Sequence, residues 1–404
     1  MSNRDFFASI DIGSNNISML IAEVENNKIH VFANATGPSL GVKNGSIVDV
    51  EAASNAVTSV INKAKKTCNE TAKFINTNIS DLHLTTSNQS RQISFDGKSK
   101  VIEEKDVKTV IQNASAGSVA ANKIKLDPIV HHFIVDDQIE REPIGLEAEV
   151  FWAQVHLTVV SKQAFSGVTS CLKGCSLGAD TIVLDSIASS VACITQEEKD
   201  EGVCMLDMGA GVSNISVFSK GGVVFSYVFK IGGNLITEKI SQAYNTSFEE
   251  AERLKLEYGV LQPQAIEDVL IQFEQIDSSV KNYLSLHELI SIIESSYKEI
   301  CTLVKKTLKN EKLDRSLKSG FIVTGGASKI ENCEKFLLKE FKTRTKIAKI
   351  NRELFSGNED LLNNINYFSA FGLLTYGTFE AYLQETEQVQ KSGLLGTMKE
   401  LFDL

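Results

Sequence analysis

Residues 203–218 read VCMLDMGAGVSNISVF, and residues 7–24 read FASIDIGSNNISMLIAEV. Each stretch is an apolar run, a turn built on Asp-x-Gly, and a second apolar run, the pattern of two short strands around a tight turn. A third strand follows each pair, over residues 29–33 in the first copy and 223–230 in the second. One unit met twice in one chain predicts an internal duplication. Outward from the first copy, residues 51–68 carry apolar side chains at 53, 56, 57, 60, 61 and 64, an amphipathic helix, and residues 81–86 read as a strand. Outward from the second, a largely helical section over 235–313 precedes a strand at 320–324 that runs into Gly325-Gly326-Ala327. The stretch 87–162 differs in texture. It holds short strands at 91–95, 131–136 and 148–160, a helix after Glu104, and Pro128 and Pro143. It reads as a subdomain inserted into a mixed α/β frame.

Glycine at such turns lets backbone N–H groups approach a phosphate, because no Cβ stands in the way. An aspartate just before the turn can hold Mg²⁺ through water, since that ion keeps part of its hydration shell. Two facing hairpins, one with Asp11 and Gly13 and the other with Asp207, Gly209 and Gly211, would clamp a polyphosphate from both sides. The third turn has no acid and suits a flat adenine lying against backbone. Any one of the three alone is an ordinary hairpin turn; all three in this order, on a duplicated frame, point to a nucleotide cleft. The chain has no GxxxxGKS/T loop and no GxGxxG, so neither a P-loop nor a dinucleotide fold is indicated.

Composition narrows the class. At 404 residues the chain is long enough for two domains with cores of their own. A formal charge of −10 excludes the basic footprint that a nucleic-acid binder needs. No apolar run reaches the ~18–20 residues that span a bilayer. The opening MSNRDFFASIDIG enters a strand almost at once, so no secretory leader is expected. Seven cysteines are scattered without a CxxC pair, and Cys171 and Cys175 fall on one helix and its exit. Buried, reduced thiols in a cytoplasmic protein are the expectation.

The order of DIGSNN (11–16), LDMGAG (206–211) and VTGGAS (323–328) resembles the phosphate-1, phosphate-2 and adenosine motifs of the actin superfamily. Within it the chain is most similar, over essentially its whole length, to the FtsA family, which tethers FtsZ filaments to the membrane. The resemblance implies an actin-like, ribonuclease H-like duplicated α/β fold, with two lobes around a nucleotide cleft and an inserted subdomain. It divides the chain into subdomain 1A (1–86, 163–198 and 371–383), 1C (87–162), 2A (199–244 and 316–370) and 2B (245–315). A linker (384–392) and an amphipathic membrane-targeting helix (393–404) follow. It assigns ATP and Mg²⁺ as cofactors. Asp11 and Asp207 would flank the metal through water. Gly13, Ser14, Asn15, Asn16, Gly209, Ala210, Gly211 and Ser213 would line the phosphates, with Gly232, Gly233 and Asn234 close by. Glu252 and Lys255 would reach the ribose, and Gly325, Gly326 and Ala327 the adenine side. Asp185, in a stretch resembling the first connecting helix, would orient an attacking water. Residues 367–377 resemble the second connecting helix.

Departures from the family pattern bear on chemistry. Asn16 stands where a lysine is common, and Ala210, Val212 and Asn214 interrupt the usual glycines and threonines of phosphate-2. Phosphoryl transfer depends on positioned charge, so losing a cation and an acid hurts hydrolysis more than binding. ATP binding with slow or absent turnover is the expectation. At the other end, Leu394, Leu395, Met398, Leu401 and Phe402 share one helical face, opposite Thr397, Lys399, Glu400 and Asp403. The resemblance further implies self-assembly into filaments, later division proteins on 1C, and a seat at the division site on the cytoplasmic face of the membrane. It puts the FtsZ C-terminal peptide on 2B, where Ser295-Ser296 replaces a common arginine and Lys298, Lys305 and Lys306 could supply charge. Two other readings share the cleft: an exopolyphosphatase-like phosphohydrolase, and a pilus-type or ethanolamine-utilisation scaffold. The insert and the amphipathic end favour FtsA over both.

Overall fold

Val203–Met208 is apolar except for Asp207 and is buried at all six positions. A strand covered on both faces belongs at the centre of a sheet. It pairs antiparallel with Ser213–Ser219 on one side and parallel with Gly320–Thr324 on the other. Gly222–Phe229 extends the first side antiparallel, and Thr345–Ile347 the second side parallel. The other lobe repeats this order strand for strand. Phe7–Ile12 is central, with Asn16–Glu25 and then Lys28–Pro38 antiparallel on one flank, and Phe74–Ile79 and then Thr181–Leu184 parallel on the other. Phe355–Gly357 adds a sixth strand beside Lys28–Pro38. This computed structural model describes residues 6–376 apart from 26–27, 69–71, 73, 96, 262–266 and 277–279.

The amphipathic helix spans Val50–Thr67 and packs its buried Ala53, Val57, Val60 and Ala64 on the first sheet; Asp49 caps it, accepting from Ala52 N at 3.0 Å. Two short helices join the lobes, Asp185–Cys193 and Phe368–Leu373, and they pack on each other. The larger of two main apolar clusters spreads through the first lobe and the connecting helices, and the other fills the second lobe. A third, small cluster, around Phe133, Phe151 and Val155, lies under the inserted sheet. That sheet orders Gln138–Glu140, Ile129–Val135, Val150–Ser161 and Thr85–Ser94, with helix Glu104–Ala114 packed on it.

Two expectations need correction. Of residues 81–86, only Thr85 and Thr86 are in a strand. Phe74–Ile79 is the preceding strand, and Asp81 then turns the chain, its carboxylate accepting from His83 N at 3.0 Å and from Ser161 N. This is an Asx-turn, in which a buried side chain replaces ladder bonding. The strand expected at 91–95 runs over Thr85–Ser94 and pairs along its full length with Val150–Ser161. It is polar because it is an edge strand with no fully buried residue, so no hydrophobic alternation marks it. The section 235–313 is largely helical, and a hairpin of Leu270–Phe273 with Asn282–Ser285 separates helices Gly233–Tyr244 and Phe248–Tyr258 from Leu286–Asn310. The cysteines among the described residues are all free, and all but Cys175 are buried.

Candidate functional site

The two central strands end in the same local structure. Gly13 N donates to Asn16 O at 3.0 Å, and Gly209 N to Val212 O at 3.0 Å. A Cβ would lie 2.8 Å from Asn16 O in the first turn and 3.0 Å from Val212 O in the second, so only glycine lets either turn close this tightly. The turns face each other. A Cβ on Gly211 would come within 2.5 Å of Ser14 Oγ, which itself accepts from Gly45 N at 2.9 Å. Gly325, the third turn, has φ +86° and lies against Met208 O, whereas the Cβ position of Gly326 meets nothing within 4 Å. All three turns leave the carboxyl ends of central strands, the edge at which open α/β sheets receive ligands. They border one cleft of about 650 Å³.

Asp11, Asp185 and Asp207 line the floor of that cleft. Burial, then the charges of Asp185 and Asp207, push the Asp11 carboxyl well up from its ordinary value. Asp185 is pushed up by burial against the hydroxyl of Ser80 and the amide of Asn78. Asp207 rises to about 7, from burial and then from Asp185. Desolvated, mutually repelling carboxylates favour a cation between them. Among the described residues no group of three or more His, Cys, Asp or Glu side chains could hold a metal ion. Asp11 and Asp207, two carboxylates at the ends of the central strands, are the donors that would meet a hydrated ion through water, as Mg²⁺ is commonly bound. Thr324 Oγ1, buried in the same cleft, has no hydrogen-bond partner in the protein.

On the opposite wall Lys255 Nζ sits 2.6 Å from Glu252 Oε2, and also donates to Gly233 O at 3.1 Å and Thr237 Oγ1 at 2.8 Å. Burial lowers the lysine's pKa, and Glu252 opposes that. Glu252 and Lys255 stand one helical turn apart on Phe248–Tyr258, which points both heads the same way. Gly233 N and Asn234 N are spent on Gly209 O (3.0 Å) and Ala210 O (2.8 Å), bracing the second turn. Gly232 and Ser213 stand behind that turn rather than in the cleft: a Gly232 Cβ would lie 2.5 Å from Ala210 O, and Ser213 Oγ donates to Ile231 O at 2.7 Å. The other expected phosphate, ribose and adenine residues, with Asp185, all line the cleft.

Several residues in or behind the cleft escaped the sequence reading. Ser369 Oγ donates to Asp207 Oδ2 at 3.5 Å from the second connecting helix. Asn78 and Ser80 contact Asp185 from strand Phe74–Ile79 and the residue after it. Ser296 and Tyr297 are buried; Tyr297 lines the cleft and its hydroxyl donates to Ala327 O at 2.5 Å. A signal existed for Tyr297: it falls four residues after Ile293 and seven before Val304, on the buried face of its helix. Of the expected charges there, Lys298 pairs with Glu294 (3.8 Å), and Lys305 reaches Glu340 O at 2.9 Å. Leu394, Leu395, Met398, Leu401 and Phe402 lie outside the described residues. Among the described residues no helix is long and apolar enough to cross a membrane.

Comparison with known proteins agrees with this geometry. The family model for cell division protein FtsA matches residues 204–372, and that for the SHS2 domain inserted in FtsA matches 82–159, together more than half of the chain. Cell division protein FtsA of Neisseria meningitidis serogroup B is 27% identical over 374 residues, covering 91% of this chain and 89% of the relative. Among solved structures, the PilM–PilN type IV pilus biogenesis complex matches with TM-score 0.64 at 15% identity, over 91% of this chain and 97% of that one. MreB5 of Spiroplasma citri bound to ADP matches with TM-score 0.56 at 15% identity, over 96% and 99%. The structural likenesses carry the actin-like fold, and the family models carry the lineage. The chain belongs to the FtsA family, and is a cell-division homologue of actin.

Proposed function

We propose that this protein binds ATP with Mg²⁺ between its lobes, assembles into filaments on the cytoplasmic face of the membrane at the division site, and anchors FtsZ filaments there. The observation that carries the reading is the convergence of three glycine turns and three carboxylates on one cleft. Asp11 and Asp207 would hold the cation through water, and the cation would neutralise phosphate charge. Glu252 and Lys255 face the ribose side. The solved structure of MreB5, of like fold, contains ADP. Asn16, Val212 and Asn214 add no charge to the cleft, which supports binding with slow turnover.

The division into subdomains 1A, 1C, 2A and 2B is part of the same reading, with the FtsZ C-terminal peptide on 2B and later division proteins on 1C. The amphipathic segment 393–404 would lie in the membrane interface. Membership of a cell division family disfavours the phosphohydrolase and pilus-scaffold alternatives. The test is whether ATP with Mg²⁺ raises the melting temperature, and whether added lipid then yields filaments by electron microscopy. A ligand at 100 times its Kd adds about 2.7 kcal/mol of stability. No shift with ATP, or fast release of phosphate from polyphosphate, would overturn the reading.

A further inference from the structure

We propose that Asn78 is a positioning residue of the nucleotide cleft: its one amide holds Asp11 and Asp185 in the arrangement that receives the phosphates and their cation. The inference rests on the nucleotide reading above and deepens it. Asn78 belongs to strand Phe74–Ile79 and is 2% exposed. Its Oδ1 accepts from Ile12 N at 2.7 Å, at the start of the first glycine turn. Its Nδ2 donates to Asp11 Oδ1 at 2.8 Å and to Asp185 Oδ1. Both amide protons and the carbonyl are thus engaged, and the side chain has one orientation that satisfies all three partners.

The two carboxylates come from places 174 residues apart in the chain and repel each other, so something must hold them side by side. A neutral amide does this without adding charge. A lysine at the same place would neutralise the acids and compete with a cation for them. Ser80, two residues on and therefore on the same side of the chain, takes the other oxygen of Asp185 at 2.7 Å. Ser80 also lies 3.3 Å from Asn214 Oδ1 in the second lobe. Both oxygens of Asp185 are thereby fixed from one segment, and that segment touches both lobes. Asn78 itself contacts no position assigned to the nucleotide; it acts through Asp11, Asp185 and the Ile12 N–H.

Thermal unfolding across a MgATP titration of the full chain tests this with Asn78→Ala, Asn78→Asp, Asp185→Asn, and the combination of Asn78→Ala with Asp185→Asn. Asn78→Asp keeps an acceptor for Ile12 N–H, so it separates loss of the donated bonds from failure to fold. Each single substitution should weaken MgATP binding about tenfold. Asp185→Asn should cost little further once Asn78 is alanine, because Ser80 still holds one oxygen of the carboxylate but nothing then ties it to Asp11. A role confined to folding would lower the nucleotide-free melting temperature and leave the two effects on affinity independent. Single variants that bind MgATP as tightly as the parent, or losses that simply multiply, would overturn the proposal. A parent protein that MgATP does not stabilise overturns the nucleotide reading, and this proposal with it.

Discussion

A Cβ on Gly372 would stand 1.7 Å from the carbonyl oxygen of Ala188. The two helices that join the lobes therefore cross with backbone against backbone, and Phe371, Leu373 and Ile187 pack around the crossing with 2% exposure or less. Gly372→Val cannot be absorbed by a side-chain rotamer change, since the obstacle is main chain. Overpacking of this kind costs about 1–3 kcal/mol or more. The expected outcome is a lowered midpoint in urea, with the larger fractional loss in nucleotide affinity, because the crossing also sets the angle between the lobes. A variant as stable as the parent would show that the helices can part.

The inserted sheet touches the second lobe through histidines. His131 Nε2 lies 2.9 Å from Ser219 O and 3.1 Å from Lys220 O, and Asn88, which contacts His156 Nδ1 at 2.8 Å, donates to Val224 O. Burial, and then the charge of His131, lower His156 from 6.5 to about 4; burial likewise lowers His131 and His132. The unfolded chain therefore binds protons near pH 6.5 that the folded one refuses until about pH 4. Stability is full above pH 6.5 and falls as pH drops through that window, by roughly 3 kcal/mol for His156 alone. Hydrogen exchange at pH 7.5 and 5, with rates corrected for pH, should find the insert–lobe contact opening first. His156→Gln should flatten the dependence.

Lys255 and Arg253 stand two residues apart on one helix and do different work. Lys255 pairs with Glu252 in the cleft, and Arg253 pairs with Glu250 at 2.7 Å on the other side. Lys255→Met should weaken ATP binding by about tenfold, the effect of losing one charge-assisted contact of about 1.5 kcal/mol. Arg253→Met should leave affinity unchanged. Isothermal titration of the two variants decides it, and equal losses would remove the ribose role from Lys255.

Membrane attachment by residues 393–404 should be marginal for one copy. Five apolar side chains gain about 7–15 kcal/mol at ~1.5–3 each when buried, while ordering about twelve residues costs a comparable amount at ~1–2 each. Lys391 and Lys399 are offset by Glu400 and Asp403, which leaves little attraction to anionic lipid. Filaments, whose later attachments are intramolecular, should hold far better. Phe402→Asp and a truncation after Gln390 should both abolish sedimentation with liposomes. Undiminished pelleting would rule this segment out as the anchor.

What the sequence by itself determined is whatever depends on near neighbours. The Asp-x-Gly turns, their flanking strands and the duplication were legible because a tight turn is specified by the few residues that make it. The cleft followed from the order of the three turns, whereas Glu252 with Lys255 came from the resemblance to the family and not from any spacing. Only the tertiary structure decided the rest. The partners of Asp185 lie 105 and 107 residues away, at Ser80 and Asn78, and the serine that reaches Asp207 lies 162 residues away. Nothing local marks Asn78, one of three consecutive polar residues in strand Phe74–Ile79, as the group that joins two acids. The ten-residue edge strand Thr85–Ser94 carried no alternation to read, because backbone pairing with Val150–Ser161 holds it rather than burial of its own side chains. Local chemistry sets where the chain can turn, whereas the placing of one buried charge beside another follows from how the sheets stack.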